Sequence, residues 1–337
     1  MRALAANTFL ILIVLGIAFA SVIGIARKDF SAPGPLAEDV IVTVPKGANL
    51  QEISEILAES GTLPESAALG VIDGAMLFRL GTQYPDRTRE LKYGDYKIEA
   101  GASPEEILAL IISGRSVPYF VTVAEGRTSW QVIETLNAHP ALTGEIVEVP
   151  PEGSILPETY AVSRLEDRNA VLARMRDAMN QALDKAWEGR DPDLPLESKE
   201  QLLILASIVE KETRPDEHAK VASVFVNRLI KGMRLQTDPT VIYGITLGKG
   251  SLGRGLRRSE LDRATPYNTY VIDGLPPTPI ANPGVQSLEA TANPAETPYL
   301  FFVADGTGGH AFAETLDEHN RNVAAWRKIE REQRQGN

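Results

Sequence analysis

The 337-residue chain contains no cysteine. Thiolate catalysis, disulfide stapling and cysteine-ligated metal sites are therefore excluded. Histidine is scarce, with only His139, His218, His310 and His319. None of them falls at a recognised metal-ligand spacing, so no metal is expected, and no other cofactor. No Gly-x-Ser-x-Gly elbow occurs, which removes the usual serine-hydrolase reading. Positive charge is also in deficit. Against 45 Asp and Glu there are 34 Lys and Arg, a formal net charge of -11. That balance argues against a nucleic-acid partner, although net charge alone does not exclude a local basic groove.

What is present describes a folded protein. Hydrophobic residues make up 43% of the chain and charged residues 23%, enough for a sizeable core. The length allows two or more modest domains. From Thr8 to Ala26 every residue is apolar or small. About 20 such residues span a bilayer as a helix. Ala18-Phe19-Ala20 ahead of Ser21 has the small-residue pattern of a signal cleavage site. The apolar run continues to Ala26, longer than a signal needs, which favours an uncleaved transmembrane anchor. Arg2 precedes the span while Arg27 and Lys28 follow it, so the positive-inside rule does not fix its direction. The acidic bulk of the chain favours export of residues 30–337.

Residues 29–40, with Pro33, Gly34 and Pro35, read as a linker. A pattern then occurs three times: a β-rich run, a glycine turn and an amphipathic helix. The first is Ile41-Val42-Thr43-Val44, Gly47, then Leu50, Ile53, Ile56 and Leu57. The second is Tyr96-Lys97-Ile98, Gly101, then Ile107, Leu108 and Ile111; the third is Val121-Thr122-Val123, Gly126, then Trp130, Ile133 and Leu136. Ser103 and Glu106 form a capping box at the second helix, with Pro104 at its first position. The arrangement resembles small carbohydrate-binding LysM modules, and it also suits a purely structural α+β domain. Proline-rich residues 140–170 give no clear pattern. A helix follows around Val171 to Trp187, and Asp191-Pro192 and Pro195 break the chain after it.

The segment Gln201–Thr213 carries the chemistry. At 100° per residue Leu202, Leu205, Ile208 and Val209 share one helix face, and Glu212 falls in the same stripe. Glu210 points roughly 160° away from Glu212. A carboxyl held against apolar surface has its charged form disfavoured, and the carbonyl end of a helix acts in the same direction. Pro215 ends the helix just beyond. A protonated carboxyl near neutral pH suits a general acid. A solvated Glu-Lys-Glu patch at a helix end fits the same residues.

Residues 202–244 closely resemble the YceG-like, endolytic murein transglycosylase family. The resemblance rests on Ala206-Ser207-Ile208-Val209-Glu210-Lys211-Glu212-Thr213, Val226-Asn227-Arg228-Leu229 and Gln236-Thr237-Asp238-Pro239-Thr240 with Tyr243. It continues through Tyr267-Asn268-Thr269-Tyr270, Ile280-Ala281-Asn282-Pro283-Gly284, Asn293-Pro294, Gly308-Gly309-His310-Ala311-Phe312 and His319-Asn320. It implies that the second glutamate of Glu-Lys-Glu-Thr, Glu212, is the catalytic acid and base. It also places Gln236, Asp238, Tyr243, Asn268 and Tyr270 along a substrate cleft. Glu212 followed by Thr213 also resembles the Glu-Ser signature of soluble lytic transglycosylases. One departure is visible: Glu152-Gly153-Ser154-Ile155-Leu156-Pro157-Glu158-Thr159-Tyr160 has Glu158 where the family usually has Asp and no aromatic at 154–156. Lys249, Arg254, Arg257, Arg258 and Arg263 make residues 247–263 a basic loop, read as solvated.

The resemblance implies an α+β fold and a definite order of parts. These are a cytoplasmic tip and transmembrane anchor at 1–28, a linker at 29–40 and a LysM-like module at 41–120. A connecting region at 121–160 leads to a catalytic domain at 161–331. The implied reaction is endolytic cleavage of the MurNAc–GlcNAc bond in nascent peptidoglycan strands, leaving 1,6-anhydro ends and terminating elongation. The implied location is the inner membrane, single-pass, with the catalytic part in the periplasm and peptidoglycan synthases as partners. A peptidoglycan-binding scaffold and a muramidase-type hydrolase with Asp238 as second carboxylate are the alternatives.

Overall fold

The computed structural model describes residues 2–84 and 86–335. The first element, α1 (Arg2–Phe30), is one continuous helix. Its stretch Phe9–Phe30 has a mean hydropathy of 2.9 and is by length and composition able to cross a membrane. Leu10, Leu12, Leu15, Ile17 and Phe19 are all exposed along it. An exposed helix that is apolar on every face suits lipid rather than water.

The chain divides into two compact units, Met1–Tyr119 with Ala161–Leu165, and Phe120–Tyr160 with Glu166–Asn337. After α1 the first unit contains β1 (Val40–Val44), α2 (Leu50–Glu59), α3 (Gly74–Gln83), β2 (Gly94–Ile98) and α4 (Pro104–Ser113). β1 and β2 are antiparallel, from Val40 opposite Ile98 to Val44 opposite Gly94. Val42 and Val44 alternate inward from β1 and meet Leu57, Phe78, Tyr96, Ile98, Ile107 and Ile111 in one core. Residues 31–36, expected within a linker, are held by backbone pairing: Gly34 N donates to Gly101 O at 3.0 Å and Gly101 N to Leu36 O at 3.0 Å.

The threefold strand–turn–helix pattern is realised in detail. Its turns pass through Gly47, Gly101 and Gly126 at φ of +84°, +71° and +70°, which a side chain would strain. Each following helix opens on a capping box, Asn49 with Glu52, Ser103 with Glu106 and Thr128 with Gln131. Each box satisfies two of the amide donors that a helix start leaves open.

The chain passes between the units in β3 (Tyr119–Thr122) and β5 (Thr159–Val162). The second unit also holds α5 (Ser129–Ala138), β4 (Leu142–Thr143), β6 (Glu166–Asp167) and α6 (Arg168–Glu188). Then follow α7 (Lys199–Glu212), α8 (His218–Ile230), α9 (Asp238–Thr246), α10 (Arg258–Leu261), α11 (Val285–Ala292), β7 (Phe301–Ala304), β8 (His310–Ala313) and α12 (Leu316–Gln335). β4 and β6 are parallel, while β7 and β8 form an antiparallel pair with Phe302 opposite Phe312. Residues 121–160, expected as a connecting region, all belong to this unit. The reason is a long-range polar knot: the Asn282 side chain accepts from Ile155 N at 3.0 Å and donates to Arg127 O at 3.0 Å. No local pattern announces such a pairing.

α7 is the axis of the second core. Leu202, Leu205, Ile208 and Val209 are buried as the periodicity requires, but so are Ile204, Ala206 and Ser207. The helix is enclosed by α6, α8 and α11 rather than laid on a core by one face, so the expectation of a single stripe is too narrow. Full burial of one such aliphatic side chain stabilises by roughly 1.5–3 kcal/mol.

Candidate active site

The site lies where α7 ends. Glu212 is its last residue, and Thr213 leaves the helix in extended conformation. The Glu212 side chain is surrounded by protein, with part of its surface still open to solvent. Thr237 donates its hydroxyl hydrogen to Glu212 Oε1. Burial pushes the Glu212 carboxyl above its ordinary value; the Thr237 hydrogen bond opposes this, the nearby Asp238 charge adds to it, and His310 and Arg228 pull it back. Burial prevails, leaving a carboxyl suited to carry a proton at higher pH than an ordinary glutamate.

Thr237 is itself fixed from below. Its amide donates to Thr269 Oγ1 at 3.0 Å, and its carbonyl accepts from Thr240 Oγ1 at 2.8 Å. Gln236, one residue earlier, takes a left-handed φ of +50°. That turn lets Leu235 and Thr237 both point inward while Gln236 is exposed. A non-glycine residue in this region is strained and is held by its surroundings, here by its amide donating to Thr269 O at 3.1 Å. Asp238 opens α9, where the helix dipole favours an anion, and Tyr270 Oη donates to its Oδ1 at 2.7 Å. Burial, followed by the Asp238 contact, raises the Tyr270 phenol, so it stays a donor.

Thr213, next to Glu212, is held on two sides. His218 Nε2 lies 3.1 Å from the Thr213 carbonyl and so donates to it, while His218 Nδ1 lies 3.1 Å from Ser287 Oγ. Ser287 in turn donates to Glu210 at 2.7 Å. The Thr213 hydroxyl donates to Glu217 Oε2 at 2.9 Å, and the same oxygen sits 2.7 Å from His310 Nδ1. Burial alone would raise Glu217, but bonds from the His310 ring, the His310 amide and Thr213 hold it below its ordinary value. His218 therefore holds the backbone beside Glu212, while His310 holds the Glu217 carboxylate that takes the Thr213 hydroxyl. Among the described residues no group of three or more His, Asp or Glu side chains is arranged to hold a metal ion.

The residues expected along the cleft separate into two kinds. Glu212, Asp238 and Tyr270 gather at the end of α7, and Gln236 stands exposed beside them. Tyr243 lies further along α9, where its hydroxyl donates to Glu152 Oε2 at 3.2 Å and its ring leans on Tyr267 with centroids 5.0 Å apart. Asn268 is fully buried: its amide nitrogen donates to the carbonyls of Glu260, Leu261 and Arg263, and its oxygen accepts from Tyr270 N. It holds the loop that carries Tyr270 and has no free polar group to offer a ligand. The basic loop is partly self-neutralised, with Arg254 on Glu260 and Arg258 on Asp262.

Sequence reasoning passed over Thr237, Glu217 and Arg228. Arg228, buried in α8, donates to Leu300 O at 2.7 Å, Leu235 O at 2.9 Å and Arg234 O at 3.2 Å, and lies over the Phe301 ring. It thereby ties the approach to Thr237 to the start of β7. The signal was available: Val221, Val224, Phe225 and Arg228 follow helical spacing, the pattern that marked Glu212.

A model of the YceG-like family matches residues 42–325. The endolytic murein transglycosylase of Bacillus subtilis strain 168 is 30% identical over 307 residues, covering 84% of this chain and 83% of that protein. The endolytic murein transglycosylase of Streptococcus pneumoniae strain D39 is 28% identical over 335 residues, and the match covers 85% of this chain and 58% of that longer protein. The crystal structure of a putative YceG-like protein from Listeria monocytogenes is similar at a TM-score of 0.51 and 29% identity, over 84% of this chain and 99% of that one. With the family match running from β1 into α12, the chain belongs to the YceG-like family.

Proposed function

We propose that this chain is an endolytic murein transglycosylase in which Glu212 acts first as acid and then as base. The observation that carries the reading is the Glu212 carboxyl, enclosed at the end of α7, raised by burial and oriented by Thr237. Glu212 protonates the oxygen bridging MurNAc to GlcNAc, and the bond from that oxygen to the MurNAc C1 breaks. The resulting carboxylate then takes the proton of the C6 hydroxyl of the same MurNAc as that oxygen closes on C1. The proton inventory returns to its start, no water is consumed, and a 1,6-anhydro end remains. Positive charge develops at C1 in between, where the Glu212 carboxylate and Asp238 are favourable neighbours. Gln236, Tyr270 and Tyr243 are the cleft residues of this reading, and Asn268 supports the loop behind them.

α1 serves as the single membrane span, with the remainder on the periplasmic side where new strands emerge and synthases work. The β1–α2–α3–β2 order of the first unit supports its reading as a LysM-like module.

Asp238 supplies a second reading. It is a carboxylate close enough to raise Glu212, and Tyr270 fixes its orientation. A pair of carboxylates can direct water to C1 and make the enzyme a muramidase. The deciding experiment is mass spectrometry of purified glycan strands digested by the detergent-solubilised full chain, by Glu212→Gln and by Asp238→Asn. Products lighter by one water than reducing-ended fragments, formed by the wild type and lost with Glu212→Gln, are expected. Reducing ends that vanish with Asp238→Asn replace the lyase with a hydrolase. Strand binding without cleavage by any of the three leaves a scaffold.

A further inference from the structure

The first unit carries an apolar loop whose position beside α1 has no role in cleavage. Ala67 and Ile72 pair across it, with Ala67 N donating to Ile72 O at 2.8 Å. Between them Ala68, Leu69 and Gly70 are all left-handed, at φ of +49°, +61° and +83°. Two of the three have a Cβ and adopt that conformation at a cost. The result is that Leu69 is 84% exposed and Val71 62% exposed. A strained loop that holds a leucine out into water gains nothing from water.

The same loop is fastened to the end of the apolar helix. Asp29, in the last turn of α1, accepts from Ala68 N at 2.8 Å. The Phe30 ring fills the space above Gly81 of α3, where any Cβ would overlap it. Exposed apolar side chains concentrate here: Leu69, Val71, Met76, Leu80 and Tyr84 lie in residues 69–84, and outside α1 the rest of the unit adds only Ile41, Tyr93 and Leu165 among the described residues. Arg27 and Lys28 directly precede the fastening point, in the same last turn of α1. If α1 crosses a bilayer, its last turn lies among the headgroups, and so does whatever is bonded to Asp29.

We propose that the Ala67–Ile72 loop is a membrane-insertion device: Leu69 and Val71 enter the interfacial layer of the bilayer that α1 crosses. This rests on the reading of α1 as a span. A single helix leaves an attached domain free to swivel and tilt. A second apolar contact beside it fixes the first unit against the membrane surface.

The absence of cysteine makes the test direct. Leu69→Cys, Val71→Cys and, as a reference within the helix, Leu15→Cys are spin-labelled singly in the full chain. Each is reconstituted in phosphatidylcholine–phosphatidylglycerol vesicles. Collision of each label with oxygen, which partitions into lipid, is compared with collision with a water-soluble nickel chelate. Oxygen accessibility severalfold above nickel accessibility is expected at 15 and at both loop positions, with 69 and 71 shallower than 15. A nickel-accessible label at 69 and 71 with an oxygen-accessible label at 15 overturns the loop proposal and leaves the anchor standing. Nickel accessibility at all three positions removes the anchor reading and the proposal with it.

Discussion

Thr237 occupies the N-cap of α9, yet its hydroxyl makes no bond to its own helix and is given to Glu212 Oε1. A threonine at an N-cap normally satisfies one of the open amides of the first turn, worth about 1 kcal/mol. Here that local stabilisation is forgone for a contact with a residue 25 positions earlier in the chain. The bond orients one carboxylate oxygen of Glu212. It also favours the ionised form, in opposition to burial.

The first prediction concerns Thr237→Val, which keeps the shape and removes the donor. Glu212 then loses a bond that lowers its pKa, so its pKa rises further. A general acid must be protonated at the start of the cycle, so the alkaline limb of the pH–rate profile moves to higher pH. The orientation is lost at the same time, and kcat at the optimum is expected to fall about 10- to 100-fold, less than for loss of the acid itself. A pH profile of strand cleavage for Thr237→Val and Thr237→Ser checks this. Thr237→Ser keeps the limb where the wild type has it, and an unmoved limb in Thr237→Val defeats the argument.

The second prediction separates activity from stability at Glu212. Its folded-state pKa is raised above that of an ordinary glutamate. For such a group the folded state loses stability as pH rises through the folded pKa, because the buried carboxyl must ionise there. Glu212→Gln removes this penalty. The variant is expected to be inactive, by a factor on the order of 10²–10⁴, and more stable than wild type at neutral pH. The gain should appear as a higher melting temperature, each kcal/mol of stability raising it by roughly 2–4 °C for a unit of this size. The difference should vanish when both proteins are melted near pH 4. A neutral-pH melting point equal to or below wild type refutes it.

The legible part of this site was the part written in one helix. The stripe of Leu202, Leu205 and Ile208 set Glu212 against apolar surface because both lie within three turns of one helix, and the family resemblance then singled it out from Glu210. The turn glycines and the Ser103–Glu106 capping box were legible for the same reason, since the box partners are three residues apart. Thr237 and Glu217 were not, because each gains its meaning from a partner brought up by another element. Asn268 shows the converse. Its type and motif suggested a ligand contact, but three backbone carbonyls of the preceding turn take up its amide nitrogen, a competition set by the local fold and not by the motif.

Glu217 provides the third prediction, with the opposite sign to Glu212. Its folded pKa is held below that of an ordinary glutamate, so its contribution is present above the ordinary value and is lost as pH falls through the folded pKa. Glu217→Gln keeps part of the hydrogen bonding and removes the charge facing His310. A loss of about 1.5–3 kcal/mol is expected at neutral pH, the range for hydrogen bonds to a charged group. The gap to wild type should close as both are unfolded in increasingly acid buffer. Urea unfolding at a series of pH values measures it, and a gap independent of pH would mean that charge on Glu217 contributes nothing.

Arg228 supports the fourth prediction, because it links the fold to the proton inventory. Its guanidinium satisfies three backbone carbonyls at once, two of them, Arg234 O and Leu235 O, on the approach to Thr237. Arg228→Met fills similar volume and leaves those acceptors without their donor. Each unsatisfied buried group costs about 1–3 kcal/mol, so a total near 3–5 kcal/mol is expected in urea unfolding. Arg228→Lys recovers little, because one ammonium on a single stem cannot reproduce the planar fork that reaches Leu300 and Leu235 together. The cation also favours ionised Glu212. Its removal raises the Glu212 pKa, and any residual activity of Arg228→Met should persist to higher pH than wild type, while Arg228→Lys, which keeps the charge, should not show the shift. Loss of stability with an unmoved alkaline limb would confine Arg228 to holding the loop.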